Sequence, residues 1–300
     1  VLFRSRVTVN RFWQEVFGTG LVRSSGDFGI TGELPSHPEL LDWLAVEFRE
    51  SGWDVKKLFK LMVSSAAYRQ SAAVTPEKLA KDNANRLLSR GPRFRMDAEM
   101  VRDYALAASG LLVKQIGGPS VKPYQPDGVW EAVSMGGNTN KYQRDKGENV
   151  YRRSMYWFWK RSAPPASMDI FNAPSREACC VKRERTNTPL QALVTLNDPQ
   201  FVEAARALAD RALEVGGETD DARIEFLAER LLARPLSGDE GAIVKRSLAD
   251  LADWYKAHPD DAGKLIAVGD SKPRAADPVQ LASWTMLTNQ LMNLDEVLCK

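Results

Sequence analysis

A basic cluster between residues 176 and 185 is the densest group of side chains in this chain that could bind a ligand. Arg176, Arg183 and Arg185 lie within ten residues of one another, and Glu177 interrupts them. A guanidinium donates two parallel hydrogen bonds to a carboxylate, sulfate or phosphate, so this pattern suits either an anion site or internal ion pairs. We favour internal ion pairs with carboxylates of neighbouring helices and keep the anion site as the alternative.

Two predicted helix starts and an aromatic run adjoin this cluster. Free backbone N–H groups at a helix start favour a bound anion, and Asn187 and Asp198 each lie at such a start. The aromatic run Tyr151–Trp159 contains side chains that usually pack in a core but also stack on sugar rings. The candidate site for an anion or another ligand therefore has eight members: Arg176, Glu177, Arg183, Arg185, Asn187, Asp198, Trp157 and Trp159.

Residue types that usually carry catalysis or bind metals are sparse. The chain has only two histidines, His37 and His258, whereas zinc sites need several Cys or His ligands at short spacing. Cys179 and Cys180 are adjacent and are expected to be buried structural residues. We therefore predict no metal site and assign no catalytic residue. An enzyme would have to use the residues Arg176, Glu177, Arg183, Arg185 and Asp198.

Composition excludes several classes of protein. The 300 residues are 44% hydrophobic and 27% charged, with a formal net charge of +2, which is the balance of an ordinary globular protein. Such a small net charge gives no general attraction to nucleic acid, and no apolar run approaches the roughly 20 residues that span a bilayer. No Cys-x-x-Cys-His string for haem attachment is present. We expect no nucleic-acid partner, no membrane-spanning segment and no cofactor in this part of the protein.

Hydrophobic spacing predicts the elements that would position these residues. It is helical over 6–113 and again over 187–300, whereas 114–186 is irregular and holds the aromatic and basic residues. The predicted fold is mainly α: one irregular multi-helix domain of residues 6–300, with a long central loop region and at most a small β element. That β element would be a short strand at 151–161, where aromatic side chains are frequent.

Helix starts are marked by side chains that can accept hydrogen bonds from the first turn. A Ser or Thr followed three residues later by Glu or Gln predicts capping boxes at Ser36, Thr188 and Ser237. Asp198 and Asp277 each precede a proline, so both are predicted N-caps with the proline at the first helical position.

Several longer strings of the chain resemble one known family. They are VNRFWQEVFGTGLVRSSGDFG at 9–29, PSHPELLDWLAVEF at 35–48, SAAYRQS at 65–71, NRLLSR at 85–90, GGPSV at 117–121, RTNTPLQALVTLNDPQFVEAARALADR at 185–211 and WTMLTNQLMNLDE at 284–296. On these strings the chain resembles the planctomycete-type C-terminal domain of unknown function, family 1553, which often accompanies a c-type cytochrome module. The resemblance implies export to the periplasm or cell surface, with haem c in upstream modules of a longer protein.

The first five residues do not belong to this resemblance. Val1–Ser5 reads VLFRS, which is the translation of a common sequencing-adapter end. We therefore expect an N-terminally truncated metagenomic fragment, in which residues 1–5 carry no helix and make no core contacts.

Three functions compete on these observations. The first is a non-catalytic binding or assembly module of a large exported protein, with a polysaccharide or protein partner, and we favour it because no acid–base pair or nucleophile is identifiable. The second is an enzyme acting on an anionic polysaccharide. The third is a docking domain for an attached c-type cytochrome module.

Overall fold

Helices make up all the regular secondary structure that the computed structural model describes, which covers residues 2–133 and 141–299. The predicted mainly α fold is therefore confirmed. Residues 134–140, part of the predicted central loop region, lie outside the described residues. The chain forms two compact units, one of Val1–Phe94 with Cys179–Arg183 and one of Arg95–Ala178 with Glu184–Cys299. The single domain over 6–300 stays a prediction.

The N-terminal unit begins with a long helix and continues with four shorter ones. They are α1 (Leu2–Phe17), α2 (Pro38–Glu50), α3 (Val55–Ser64), α4 (Ala66–Arg69) and α5 (Pro76–Lys81). Side-chain caps define two of the starts: Asp54 accepts a hydrogen bond from the backbone N–H of Lys57 at 2.9 Å, and Thr75 accepts one from Lys78 at 3.2 Å. Such caps satisfy N–H groups that have no partner inside the helix.

The core of the N-terminal unit lies where α1 packs on α2 and α3. Its apolar side chains are Val9, Trp13, Val16, Phe17, Leu21, Val22, Leu41, Leu44, Phe48, Leu58 and Met62. The fully buried amide of Asn10 donates to the carbonyl of Val22 at 3.0 Å and accepts from its N–H at 2.8 Å. These two bonds hold the segment after α1 against the helix, because a buried amide without partners would be strongly unfavourable.

The C-terminal unit contains ten helices among its described residues. They are α6 (Ala98–Ser109), α7 (Val129–Ala132), α8 (Ala166–Ile170), α9 (Pro189–Asn197), α10 (Pro199–Val215), α11 (Asp220–Leu232), α12 (Gly238–Ala257), α13 (Pro259–Ile266), α14 (Pro278–Met292) and α15 (Asp295–Leu298). Helices α10 and α14 form the centre of the unit; α6, α9 and α11 pack on α10, and α12 and α13 pack on α14.

Small residues explain why α10 can be central. Ala204, Ala205, Ala209 and Ala212 are fully buried and lie at helical spacing around Leu208. Alanine lets a neighbouring helix backbone approach closely and is also the best helix former. The same helix carries polar residues into the interior, because Glu203 and Arg206 are each only 1% exposed.

Three of the predicted helix caps are confirmed. Ser237 and Glu240 form a capping box at the start of α12. The carboxylate of Asp198 accepts from the N–H of Gln200 at 3.0 Å, and that of Asp277 accepts from the first turn of α14. Each of these side chains satisfies an N–H group that the helix leaves without a partner.

Two predicted capping boxes are wrong. The N-cap of α2 is His37 rather than Ser36, and it makes no side-chain cap bond. Thr188 is the N-cap of α9 and also makes none. The NH2 group of Gln191 instead donates to the carbonyl of Ile170 at 3.1 Å. This contact orients the side chain, and its Oε1, which a capping box would use as the acceptor, is buried without a hydrogen-bond partner.

Two further expectations about local structure are wrong. Residues 151–161 do not form a strand; they contain parts of two short 3-10 helices, Gly147–Tyr151 and Ser154–Tyr156, and isolated bridges to Val113 and Val121. Residues 2–5 form the first turn of α1, and Ser5 is fully buried, which contradicts the expectation of no helix and no core contact there. The adapter origin of residues 1–5 stays a prediction.

Candidate functional site

Trp157, in the aromatic run interpreted above as core with a sugar-binding surface as the alternative, is held inside the C-terminal unit by a buried arginine. The guanidinium of Arg102, 2% exposed, lies 5.0 Å from the ring centre of Trp157, which is itself buried. It donates to the carbonyls of Val150 at 2.7 Å and Arg152 at 2.8 Å, and to Gln200 Oε1 at 2.6 Å. Burial lowers the pKa of Arg102 to about 10, against the opposing effect of nearby carboxylates. Trp157 is therefore a core residue.

A second buried arginine binds the same segment of the chain. Arg152 is buried, lies 4.0 Å from the ring centre of Tyr156, and donates to the carbonyls of Pro119, at 2.9 Å, and Gly117. The two guanidiniums thus bind main-chain carbonyls, and Arg102 also pairs with the carboxylate of Asp103 at 3.7 Å. A planar cation suits this role because it stacks on an aromatic ring while its edge donates several hydrogen bonds.

Arg176 and Glu177 of the predicted site lie on the surface. The Arg176 guanidinium stacks on Trp159 at 4.4 Å, and the indole N–H of Trp159 donates to the carbonyl of Ser175 at 3.2 Å. Glu177 pairs with Arg161 at 3.4 Å, with both side chains more than 60% exposed. An exposed pair of this kind contributes little to stability.

The remaining members of the predicted site do not converge. Arg185 pairs with the buried Asp97 at 3.5 Å, Asn187 is exposed, and Asp198 caps α10. Burial raises the pKa of Asp198, against the lowering effect of its cap bond. Arg183 belongs to the segment grouped with the N-terminal unit. Within the C-terminal unit, Arg176 and Trp159 of the predicted set are in direct contact.

The cysteines also differ from expectation. Cys179 and Cys180 are both exposed free thiols, so the prediction that they are buried is wrong. No group of three or more His, Cys, Asp or Glu side chains that could hold a metal ion occurs among residues 2–133 and 141–299.

The most deeply buried carboxylate in the C-terminal unit is Glu203, on α10. It accepts from the hydroxyls of Tyr124 at 2.8 Å and Tyr151 at 2.7 Å, and from the N–H of Ser271 at 2.6 Å. These donors occupy the carboxylate and leave it no free side toward a substrate, so the group fastens the loop before α14 to α10. Its arrangement is that of a satisfied buried polar network.

A cavity in the N-terminal unit has the composition of a ligand site. It has a volume of about 260 Å³, and its polar lining includes the three arginines Arg86, Arg90 and Arg93. Trp13 and Phe17 contribute apolar walls, with their rings stacked 4.0 Å apart. No carboxylate, imidazole or thiol is among the residues that line it. The cavity therefore combines concentrated positive charge with aromatic surface.

The turn that carries Arg86 and Arg90, residues 82–91, is held in a defined shape by hydrogen bonds to the buried Asp82. Asp82 accepts from the N–H groups of Arg86 at 2.6 Å and Leu87 at 2.9 Å. Burial raises the pKa of Asp82, but these backbone bonds outweigh it and hold the pKa below its usual value. Asn85 and Leu88 have left-handed backbones, with φ of 50° and 56°. For leucine this conformation is strained, and such strain persists only where surrounding bonds impose it.

The arginines of the cavity differ in how they are paired. Arg90 donates to the carbonyls of Asp82 at 2.9 Å and Asn83 at 2.6 Å. Among the described residues, no carboxylate pairs with Arg86 or Arg90. Because carbonyls carry no net charge, the positive charge of both guanidiniums remains uncompensated. Such a site attracts anions, and a guanidinium binds carboxylate or sulfate oxygens in pairs.

Close packing of glycines shapes the cavity wall. Gly18 has φ of 82°, and a Cβ there would lie 2.5 Å from the ring of Phe94. The N–H of Gly91 donates to the carbonyl of Ser71 at 2.9 Å, and a Cβ on Gly91 would lie 2.5 Å from the carbonyl oxygen of Gln70. Glycine is required at both places because any side chain would displace the wall.

This cavity was not predicted, because residues 6–113 were interpreted only as a helical region. A signal was present in the string RLLSRGPR at 86–93, which holds three arginines and no acidic residue. Nothing in that string shows that Trp13 and Phe17, more than 65 positions earlier, would form the facing wall. Their approach depends on the packing of α1, which periodicity alone does not specify.

Comparisons with known proteins place the chain in a family. The family model described as "Protein of unknown function (DUF1553)" matches residues 2–248. In comparisons with curated proteins and with solved structures, nothing matches the chain. Within the described ranges, none of the helices has both the length and the apolar composition that crossing a membrane requires. Since the family match covers well over half of its length, the chain belongs to the DUF1553 family.

Proposed function

We propose that this chain is a non-catalytic binding module of an exported multidomain protein, and that its N-terminal cavity binds an acidic saccharide. The observation that carries this proposal is a cavity of about 260 Å³ lined by three arginines and no carboxylate. Export and the multidomain context rest on the family resemblance. The carboxylate or sulfate of the saccharide would pair with the arginines, and the apolar face of its ring would pack on the aromatic wall.

The size of the cavity limits how much ligand it can take. Pockets for drug-sized ligands usually measure about 300–1,000 Å³, and this cavity lies just below that range. It therefore suits one terminal or protruding acidic sugar rather than a long stretch of chain. Affinity for a polymer would then depend on several modules acting together.

The residues that surround the cavity support the proposal of binding without catalysis. Hydrolysis or elimination on a glycan needs a positioned acid or base. No carboxylate, imidazole or thiol is among the lining residues, and the buried Glu203 is occupied by three donors. The acidic residues Glu177 and Asp198, on which an enzyme was hypothesised, are used in a surface ion pair and a helix cap.

Thermal unfolding with a saccharide panel tests the proposal. The panel contains uronic-acid oligosaccharides, sulfated oligosaccharides and neutral oligosaccharides of the same length. An acidic ligand at 100 times its dissociation constant is expected to add about 2.7 kcal/mol of stability, while the neutral ones add none. Arg86→Ala should remove that gain without changing the melting temperature of the free protein, because the Arg86 side chain has no carboxylate partner to lose.

Arg246→Ala is the matched control, since Arg246 is exposed on α12 and its loss changes the net charge equally. It should bind the acidic ligand as the parent does. Retention of the stability gain by Arg86→Ala would contradict the proposed site. Release of shortened or unsaturated products from any glycan would contradict a non-catalytic function.

A further inference from the structure

The C-terminal unit has a second cavity, which the function proposed above does not use. Its volume is about 310 Å³, and it lies between the end of α6, one face of α10 and the loop at 271–274. Three cationic side chains line it: Arg211 from α10, and Lys272 and Arg274 from the loop. Because these cations come from two different elements, they approach the cavity from different directions.

The only carboxylate among the described lining residues is already engaged. Asp210 accepts from the N–H of Arg274 at 3.2 Å and from the N–H of Ala275 at 3.0 Å. These bonds direct the carboxylate to the backbone of the loop and fix the loop against α10. Arg274 also pairs with Glu214 at 3.0 Å, but that pair is more than half exposed and is therefore weak.

No carboxylate of the described residues forms a direct ion pair with Arg211, and Glu214 acts on it only as a nearby charge. Its Nη1 lies 3.5 Å from the carbonyl of Ala108 at the C-terminal end of α6, where the helix dipole favours a cation. Gly110 ends that helix with φ of 83°, and a Cβ there would lie 2.7 Å from the same nitrogen. Burial, and after it the neighbouring Arg230 and Arg274, lower the pKa of Arg211. A bound anion would relieve this repulsion.

A buried arginine next to the cavity binds one of the residues that line it. Arg206 is 1% exposed and donates from Nη2 to the carbonyl of Ser271 at 2.6 Å and to its Oγ at 2.7 Å. Its Nε and Nη1 are buried without a hydrogen-bond partner. Ser271 in turn lines the cavity. Arg206 also pairs with the equally buried Glu203 at 3.7 Å, so its charge is balanced inside the core and its part in the cavity is to hold Ser271 in place.

We infer that this cavity binds a tetrahedral oxyanion, either a free phosphate or sulfate or the same group esterified to a larger ligand. A carboxylate offers two oxygens in one plane, whereas a phosphate or sulfate offers at least three in different directions. Two guanidiniums and an ammonium on separate elements match the second arrangement. The site lies in the C-terminal unit, so it is independent of the saccharide site proposed for the N-terminal unit.

Calorimetric titration of the whole chain tests this inference. The ligands are inorganic phosphate, inorganic sulfate, a phosphorylated monosaccharide and a sulfated monosaccharide, each at constant ionic strength, with acetate as the planar control. Phosphate or sulfate should bind at least tenfold more tightly than acetate. Tighter binding of an ester than of the free ion would identify the esterified group as the natural ligand, and the reverse order would identify the free ion.

Variants locate the site. Arg211→Ala should weaken phosphate binding about tenfold or more, since a charge-assisted hydrogen bond contributes about 1.5–3 kcal/mol. Lys272 is exposed, so Lys272→Ala should fold like the parent and weaken phosphate binding severalfold. If Arg211→Ala does not fold, Lys272→Ala is the variant that tests the site. Arg246→Ala should bind phosphate as the parent does, whereas any phosphate binding that Arg86→Ala removes belongs to the N-terminal cavity.

Three results would overturn the inference. The first is that no tetrahedral anion binds at about 10 mM, which corresponds to a binding free energy weaker than roughly −3 kcal/mol. The second is that acetate binds as tightly as phosphate. The third is that Arg211→Ala and Lys272→Ala both leave the phosphate affinity unchanged. Because Arg86 belongs only to the N-terminal cavity, failure of the saccharide proposal leaves phosphate binding by the parent intact. The two proposals therefore fail independently.

Discussion

Arg102 is the side chain on which the central segment of the C-terminal unit depends most. Substitution by alanine leaves the carbonyls of Val150 and Arg152 and the amide oxygen of Gln200 without their donor. Each hydrogen bond to a charged group contributes about 1.5–3 kcal/mol, although such contributions do not add fully. The relief of guanidinium desolvation offsets part of the loss. We therefore expect Arg102→Ala to lower the free energy of unfolding by about 3–5 kcal/mol, as for other broken buried charge networks.

Urea denaturation followed by circular dichroism and by tryptophan fluorescence measures this loss. The melting temperature should fall by roughly 10 °C, given about 2–4 °C per kcal/mol for a unit of this size. Arg102→Lys should recover less than half of the loss, because one ammonium cannot reach acceptors arranged around a planar fork. Arg246→Ala, with the same charge change on the surface, should stay within about 0.5 kcal/mol of the parent.

The reasoning would be refuted by a loss below about 1 kcal/mol in Arg102→Ala. It would also be refuted if Arg102→Lys matched the parent, because charge alone would then suffice. Either result would mean that Trp157 and the carbonyls around it are held by packing rather than by the guanidinium.

Three further perturbations test individual contacts. Asp198→Ala should destabilise by about 0.5–2 kcal/mol through loss of the α10 cap, whereas Thr188→Ala, which removes no cap bond, should be nearly silent in urea denaturation; equal losses would contradict this assignment. Burial, and after it Glu203, raise the pKa of Tyr124 well above its value of about 10 in unfolded chains. Stability is therefore full below about pH 10 and is lost as the pH rises above it; Tyr124→Phe should reduce that loss, and urea midpoints that stay constant from about pH 9 to 11 would count against it. Deleting the first turn of α1, with the ring contact of Phe3, should lower stability by about 0.5–1.5 kcal/mol, and an unchanged melting temperature would support the original expectation for residues 1–5.

Capping residues were predicted correctly where their hydrogen bonds join residues within one turn of the same helix. Ser237 forms its capping box because both partners lie within one turn and are exposed to solvent. The same pattern failed at Thr188 because Gln191 is 1% exposed and bonds instead to the carbonyl of Ile170. A capping box is therefore predictable at the surface, whereas burial lets distant groups compete for the same side chain.

By itself, the sequence determined the mainly α fold and three of the five predicted helix caps, and it carried the resemblance to the family, since these depend on periodicity, on neighbouring residues and on the order of residues along the chain. It also indicated that arginines would hold the aromatic run. Only the tertiary structure decided which arginines contact it: the buried Arg102 and Arg152, together with the exposed Arg176.

The two cavities were likewise a result of tertiary packing. Arg86 faces a wall formed by Trp13 and Phe17, and Arg211 shares its cavity with Lys272 and with Arg274. These partners are separated by about 60 residues or more in sequence. Whether an arginine finds a carboxylate or stays unneutralised depends on what the fold brings within a few ångströms, because charge pairing falls off with distance in space and has no dependence on separation along the chain.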